Sequence, residues 1–143
     1  MINLDSLNNY LCFSIRHLMK KIDRQLGDKL EGYGISIPQS FILYSLLEDD
    51  GITLKEIGTR TLIDSSSMTV LVDKLENEGM VERRLDSQDR RAIRVFITDK
   101  GKDLATEVTS IAKEFNVFLY DLLGEGNQKE FLHGVNNLIN GLE

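Results

Sequence analysis

Three groups of residues carry side chains suited to chemistry. Ser65, Ser66, Ser67 and Thr69 set four hydroxyls within five positions, with Val70 and Lys74 close behind. Hydroxyls meet donors or acceptors on base edges, and a valine can touch a thymine methyl, so this run suits contact with nucleic acid. The plain alternative is a capped and solvated serine run. The second group is arginine-rich: Arg83, Arg84, Arg90, Arg91 and Arg94 stand against only Asp86 and Asp89, a net charge of +3 in twelve residues. Guanidiniums at a turn can enter a narrow minor groove, where the negative potential is strong. The alternative there is a solubilising loop. The third group is Cys12, Phe13, Arg16, His17 and Lys20, with Phe41 and Tyr44 further on. These are aromatic and cationic side chains, and the plain reading is core with a solvated rim.

Bond-making chemistry finds no support. There is no glycine-rich phosphate loop, no plausible triad and no clustered carboxylate pair. His17 and His133 lie far apart, and no Cys, His, Asp or Glu set has ligand spacing, so neither metal nor cofactor is expected. The net charge of −6 argues superficially against nucleic acid. Its distribution reverses that argument. Residues 1–52 carry 5 basic and 7 acidic groups, residues 53–101 carry 9 and 9, and residues 102–143 carry 3 and 7. The acid sits at the ends, and the local surface decides phosphate contact.

The elements that must position these groups follow from periodicity. Leu4, Leu7, Leu11, Ile15, Leu18, Ile22, Leu26 and Leu30 draw one stripe along a helix of about seven turns. That is too long for a small core to bury, so part of it should face a partner. Ser36 and Gln39, around Pro38, mark the next helix start. Thr53 and Glu56 mark another, opening a short helix. A break at residues 61–64 precedes a helix from about Ser65 to Glu78, stopped by Gly79. Two short helices across a tight break form a helix-turn-helix. Val81 to Leu85, a polar turn and Ala92 to Ile97 then read as a hairpin, the wing. Thr98 caps a long helix, and a last helix carries Phe131, Val135, Leu138, Ile139 and Leu142. The expected class is mainly α with a small β-hairpin wing. The expected divisions are residues 1–35, residues 36–101, which should bind DNA, and residues 102–143.

On the helix from Ser65, Met68, Leu71, Val72 and Leu75 share an inward face. Ser66, Thr69, Val70 and Asp73 lie opposite, flanked by Ser67 and Lys74. Asp73 sits awkwardly for a phosphate-facing surface and is expected to pair with a nearby base. Arg90 and Arg91 fall at the hairpin tip, with Asp89 placed to steady an arginine through a charge-assisted bond.

These segments together resemble the MarR family of winged-helix regulators. The resemblance is carried by Leu54-Lys55-Glu56-Ile57-Gly58, by residues 64–76, by Glu78-Gly79-Met80-Val81-Glu82-Arg83, and by Asp89-Arg90-Arg91-Ala92 with Val95, Thr98 and Gly101. It covers about a third of the chain. It implies a homodimeric repressor on a pseudo-palindromic operator of double-stranded DNA, with residues 1–35 and 102–143 serving dimerisation. Ser65, Ser67, Thr69 and Lys74 match groove-contacting places, Arg91 the minor-groove arginine and Asp89 the residue that steadies it. It also implies release by a small phenolic or lipophilic effector, with Cys12, Phe13, Arg16, His17, Phe41 and Tyr44 as candidate contacts. Leu11-Cys12-Phe13 is similar to a peroxide-sensing branch, which makes redox control through Cys12 the alternative. Leu26 and Ile37 stand where that branch has its two tyrosines. With one cysteine, no apolar run of membrane length and no basic leader in residues 1–11, a cytoplasmic protein off the membrane is expected.

Overall fold

The computed structural model describes residues 1–143 and divides into two compact units, Met1–Thr109 and Ser110–Glu143. The elements run in the order α1 (Leu11–Glu31), α2 (Ile37–Glu48), β1 (Ile52–Thr53), α3 (Leu54–Thr61), α4 (Ser65–Asn77), β2 (Val81–Leu85), β3 (Ile93–Ile97), α5 (Asp99–Leu123) and α6 (Gln128–Gly141). No helix is long and apolar enough to cross a membrane.

The first helix starts later than its apolar stripe suggests. Leu4 and Leu7 precede it, and Leu7–Asn9 closes a short 3-10 turn. The cause is local competition. Asn3 accepts the backbone N–H of Asp5 on its side chain, and the Ser14 hydroxyl donates to the Asn8 carbonyl. Such side chains offer the backbone partners other than helical ones. The stripe from Leu11 onward holds, yet only Leu30 at its far end is buried.

Both capping boxes form. Ser36 exchanges hydrogen bonds with Gln39, and Thr53 with Glu56. Each satisfies two helix-end donors that would otherwise lack partners. The break between α3 and α4 turns on Leu62, a non-glycine residue held at φ 61° and ψ 23°. That left-handed backbone costs about 1–2 kcal/mol, which the packing on either side must offset. Gly79, at φ 78°, closes α4 as expected.

Three strands form one antiparallel sheet in the order β1-β3-β2. Val81 pairs with Ile97 and Leu85 with Ile93, so the hairpin register puts Val81, Val95 and Ile97 toward the core. The third strand, β1, adds Ile52 opposite Val95. The core of the first unit gathers Ile42, Leu43 and Leu46 of α2, Ile57 of α3, Met68, Val72 and Leu75 of α4, and the sheet. Leu30 of α1, and Ala105 and Val108 of α5, belong to that same core. The core around the winged helix therefore includes residues of both long helices.

In the second unit, Phe115 and Phe118 stack at a ring separation of 6.2 Å. The turn into α6 is tied by Asn127 Nδ2 donating to the Leu123 carbonyl and Gln128 Nε2 to the Tyr120 carbonyl. Phe118, Leu122, Phe131, Ile139 and Leu142 stay exposed on the single chain.

Candidate nucleic-acid interface

The candidate surface begins at the cap of α4. Asp64 occupies the N-cap position, and its Oδ1 accepts the Ser67 backbone N–H at 2.8 Å. The same oxygen accepts the Ser66 hydroxyl at 2.6 Å, and Oδ2 accepts the Ser67 hydroxyl at 3.0 Å. These bonds, led by the one from Ser66, lower the Asp64 pKa to about 2. Thr69 donates to the Ser65 carbonyl one turn back. Ser65, Ser66, Ser67, Thr69 and Val70 are all exposed, while Met68, Val72 and Leu75 point into the core. The helix thus divides as its periodicity predicts. Lys74 is exposed on the next turn and borders a cleft of about 700 Å³ that also meets Asp23, Asp28, Glu31 and Phe41.

Asp73 finds its base in Arg83 of β2. Glu76, one helical turn on, accepts Arg83 through both Nε and a terminal nitrogen, and accepts its backbone N–H at 2.7 Å. The contact lowers the Glu76 pKa, led by the backbone bond, and raises that of Arg83, led by the Glu76 side chain. One guanidinium so offsets part of the charge of two carboxylates that would oppose phosphates, and it pins the helix to the wing.

The five arginines then separate by role. Arg83 serves Asp73 and Glu76. Arg84 lies 4.5 Å from the Phe96 ring centre and pairs with Glu82. Arg94 donates to Asp86 at 2.9 Å and to the Gly51 carbonyl at 2.8 Å, tying the wing to the β1 side. Asp86 also accepts the Gln88 N–H, and that bond leads the lowering of its pKa. Only Arg90 and Arg91 project from the turn with exposed side chains and no acidic partner. The positive charge available to DNA is therefore sharper than a net charge of +3 implied. Asp89 acts differently from the expected rotamer clamp: it accepts the Arg91 backbone N–H at 3.0 Å and so shapes the turn.

Two contributors escaped the sequence reading. Asp64 was legible in principle, as an aspartate three residues before Ser67 at a helix start. Lys55 was not. It borders a cleft of about 420 Å³ between α3 and α4 with Thr59, Ser65 and Thr69, a juxtaposition that only the packing creates.

The candidate effector residues do not gather at one place. Cys12, Arg16 and His17 are exposed on the first turns of α1, where Phe13 stacks against His17 at 6.3 Å. Phe41 and Tyr44 are exposed on α2. Of the six, only Phe41 borders the larger cleft.

The capped carboxylates set an acid limit on stability. Asp64, Glu76 and Asp86 all hold folded-state pKa values below their ordinary ones. A depressed carboxylate contributes stability that is complete above its unfolded pKa, near 4, and is lost as pH falls through the folded value. The melting midpoint should hold between pH 7 and about 5, then fall progressively toward about pH 2. A thermal denaturation series checks this; a midpoint unchanged from pH 5 to 2.5 would contradict the hydrogen-bond assignments.

Comparison with known proteins meets this geometry. The MarR family model matches residues 35–93. The HTH-type transcriptional regulator TtmR of Methylorubrum extorquens is 36% identical over 99 residues, 69% of this chain. The chain spans only about half, 51%, of that relative's length. A MarR transcriptional regulator from Methanosarcina mazei is 32% identical with a TM-score of 0.77, covering 90% of this chain and 94% of its own. The Staphylococcus aureus MepR–DNA complex superimposes with a TM-score of 0.87 over 94% of this chain and 98% of its own. At 22% identity, that last match speaks for the fold. With its helix-turn-helix, its three-stranded sheet and its arginine-tipped wing, the chain belongs to the MarR family of winged-helix, DNA-binding transcription regulators.

Proposed function

We propose that this regulator is a repressor that binds a pseudo-palindromic operator as a homodimer. In this reading α4 enters the major groove, presenting Ser65, Ser66, Ser67, Thr69, Val70 and Lys74. The wing tip carries Arg90 and Arg91 to the minor groove, on a turn shaped by Asp89. The observation that carries the reading is the separation of the arginines. Three have partners within the chain, and two are left free on the turn behind a helix whose exposed first turns are small and polar.

Dimerisation is supported by apolar surface that one chain leaves uncovered. Leu11, Ile15, Leu18 and Met19 are exposed on α1, as are Phe118 and Leu122 on α5 and Phe131, Ile139 and Leu142 on α6. Large apolar side chains left uncovered in such number favour association. A two-fold dimer would set its reading helices about 34 Å apart, one turn of duplex. Small-molecule release is part of the same reading, with the larger cleft as its seat, because a molecule there would touch Lys74 on the reading helix. Its lining sets Ile35, Ile37, Pro38 and Phe41 beside three carboxylates, which suits an apolar cation better than a phenolate.

Redox control through Cys12 is the second reading. The thiol is exposed on the first turn of α1, as a sensor requires. Peroxide that frees wild-type protein from DNA but leaves Cys12→Ser bound would favour it.

The direct test of DNA binding is a gel shift with a random duplex pool at 50 and 200 mM salt, alongside light scattering for mass. Binding that weakens by about 10³-fold or more across that range is expected for six or more phosphate contacts. A monomer by scattering, or no retardation at either salt, would sink the reading.

A further inference from the structure

The hydroxyls on the reading helix are not free to play either part. A hydroxyl has one proton to donate and lone pairs to accept with, whereas an ionised carboxylate and a backbone carbonyl only accept. Contact between a hydroxyl and either of those therefore fixes which way the proton points. Ser66 faces Asp64 Oδ1 at 2.6 Å, Ser67 faces Oδ2 at 3.0 Å, and Thr69 faces the Ser65 carbonyl at 3.2 Å. In each case the hydroxyl must be the donor. All three protons are turned inward, and what the exposed oxygens offer outward is lone pairs.

We propose that Asp64 sets the hydrogen-bond polarity of Ser66 and Ser67, as the Ser65 carbonyl does for Thr69, so that all three meet DNA as acceptors and select the exocyclic amino groups of adenine and cytosine. Each base pair shows one such group in the major groove, N6 of adenine or N4 of cytosine. An acceptor at a fixed position thus tells adenine from thymine, and cytosine from guanine, on the strand it faces. It also rejects phosphate, which itself only accepts. Ser65 differs, because its hydroxyl makes no bond within the protein and keeps its proton for a phosphate or a carbonyl. Asp64 does not touch the bases; it is a positioning residue acting through its neighbours. Its carboxyl stays ionised throughout the neutral range, so the polarity does not change with pH there.

Asp64→Asn turns this into a sharp test. The Ser67 backbone N–H needs an acceptor at the Oδ1 position, which orients the asparagine carbonyl there and preserves the cap. The amide nitrogen then occupies the place of Oδ2. It donates to the Ser67 hydroxyl, whose proton must swing outward. One exposed acceptor becomes a donor, with no change in the size of the side chain.

The inference rests on α4 lying in the major groove, and the experiment separates the two. Wild-type protein and Asp64→Asn each select from a duplex library with a randomised centre. The selected wild-type duplex is then remade with purine for adenine, 2-pyrimidinone for cytosine, 7-deaza purines, or uracil for thymine, one position at a time. Removing a contacted amino group should weaken wild-type binding about five- to tenfold, the size of one lost hydrogen bond. The 7-deaza change at those positions should stay within about twofold. Asp64→Asn should select guanine or thymine at one position per half-site where wild type selects adenine or cytosine, with its helix content unchanged by circular dichroism. A wild-type preference for guanine or thymine at these contacts would overturn the polarity, as would an Asp64→Asn protein that binds more weakly with the same preference. Sensitivity to uracil without sensitivity to amino groups would leave the helix in the groove and overturn only this inference. Indifference to every substitution would overturn the placement of α4 itself.

Discussion

Arg91→Ala is expected to lower affinity for the selected duplex on the order of 100-fold while leaving the melting midpoint where it was. A well-placed arginine is worth about 1–3 kcal/mol at one site, and a homodimer uses it twice. No effect on stability is expected because the guanidinium makes no ion pair in the fold. Arg94→Ala is the instructive contrast. It breaks the bonds to Asp86 and to the Gly51 carbonyl, so it should lower the melting midpoint as well as DNA affinity. Fluorescence anisotropy titrations beside thermal melts separate the two. Wild-type affinity for Arg91→Ala would remove the wing from the proposed interface, leaving the reading helix to stand alone.

This contrast is where the sequence was least legible. Five arginines in one short stretch look alike when only their order is known. Their fates are decided by partners on other strands and helices: Glu76 and Asp73 across from Arg83, Phe96 under Arg84, and Gly51 beside Arg94. The strand β1 was hidden for the same reason. Ile52 and Thr53 are two residues whose strand character exists only through pairing with Val95 and Arg94. Local signals fared better. The capping boxes at Ser36 and Thr53, the stop at Gly79 and the inward face of Met68, Val72 and Leu75 depend on neighbours within a turn, and each was readable. The late start of α1 marks the boundary between the two kinds of signal. An apolar stripe records which face will be covered, not whether the backbone beneath it is helical, and Asn3, Asn8 and Ser14 redirected that backbone. The candidate small-molecule residues were the least legible as a group, because Cys12, Phe13, Arg16 and His17 share α1 with the larger cleft but lie turns away from it.

Gly101→Ala is expected to damage the fold more than any surface change near DNA. Gly101 lies in the first turn of α5, where its N–H donates to the Thr98 hydroxyl at 3.0 Å. Thr98 in turn holds the chain leaving α4, since its backbone N–H donates to the Met80 carbonyl at 3.0 Å and its hydroxyl to the Gly79 carbonyl at 2.6 Å. The end of the reading helix, the start of β2 and the start of α5 therefore meet at one backbone crossing. A Cβ on residue 101 would sit 2.0 Å from the Met80 carbonyl oxygen and 2.9 Å from Ile97 Cγ1. The obstacle is backbone, so no rotamer relieves it. Relief requires α5 to withdraw, breaking the Thr98 bonds, or Met80 to shift, dragging Val81 out of the core. The cost should reach ~3 kcal/mol, the upper range for overpacking, and lower the melting midpoint by roughly 10 °C. Gly27→Ala provides the control. A Cβ there meets nothing within 4 Å, and the site is inside α1, so alanine should be neutral or stabilising by about 1 kcal/mol. Melting midpoints for both proteins decide the matter. A Gly101→Ala midpoint within about 2 °C of wild type, small against the expected fall, would mean that α5 is free to move away from Met80, and that the crossing does not hold reading helix and wing together.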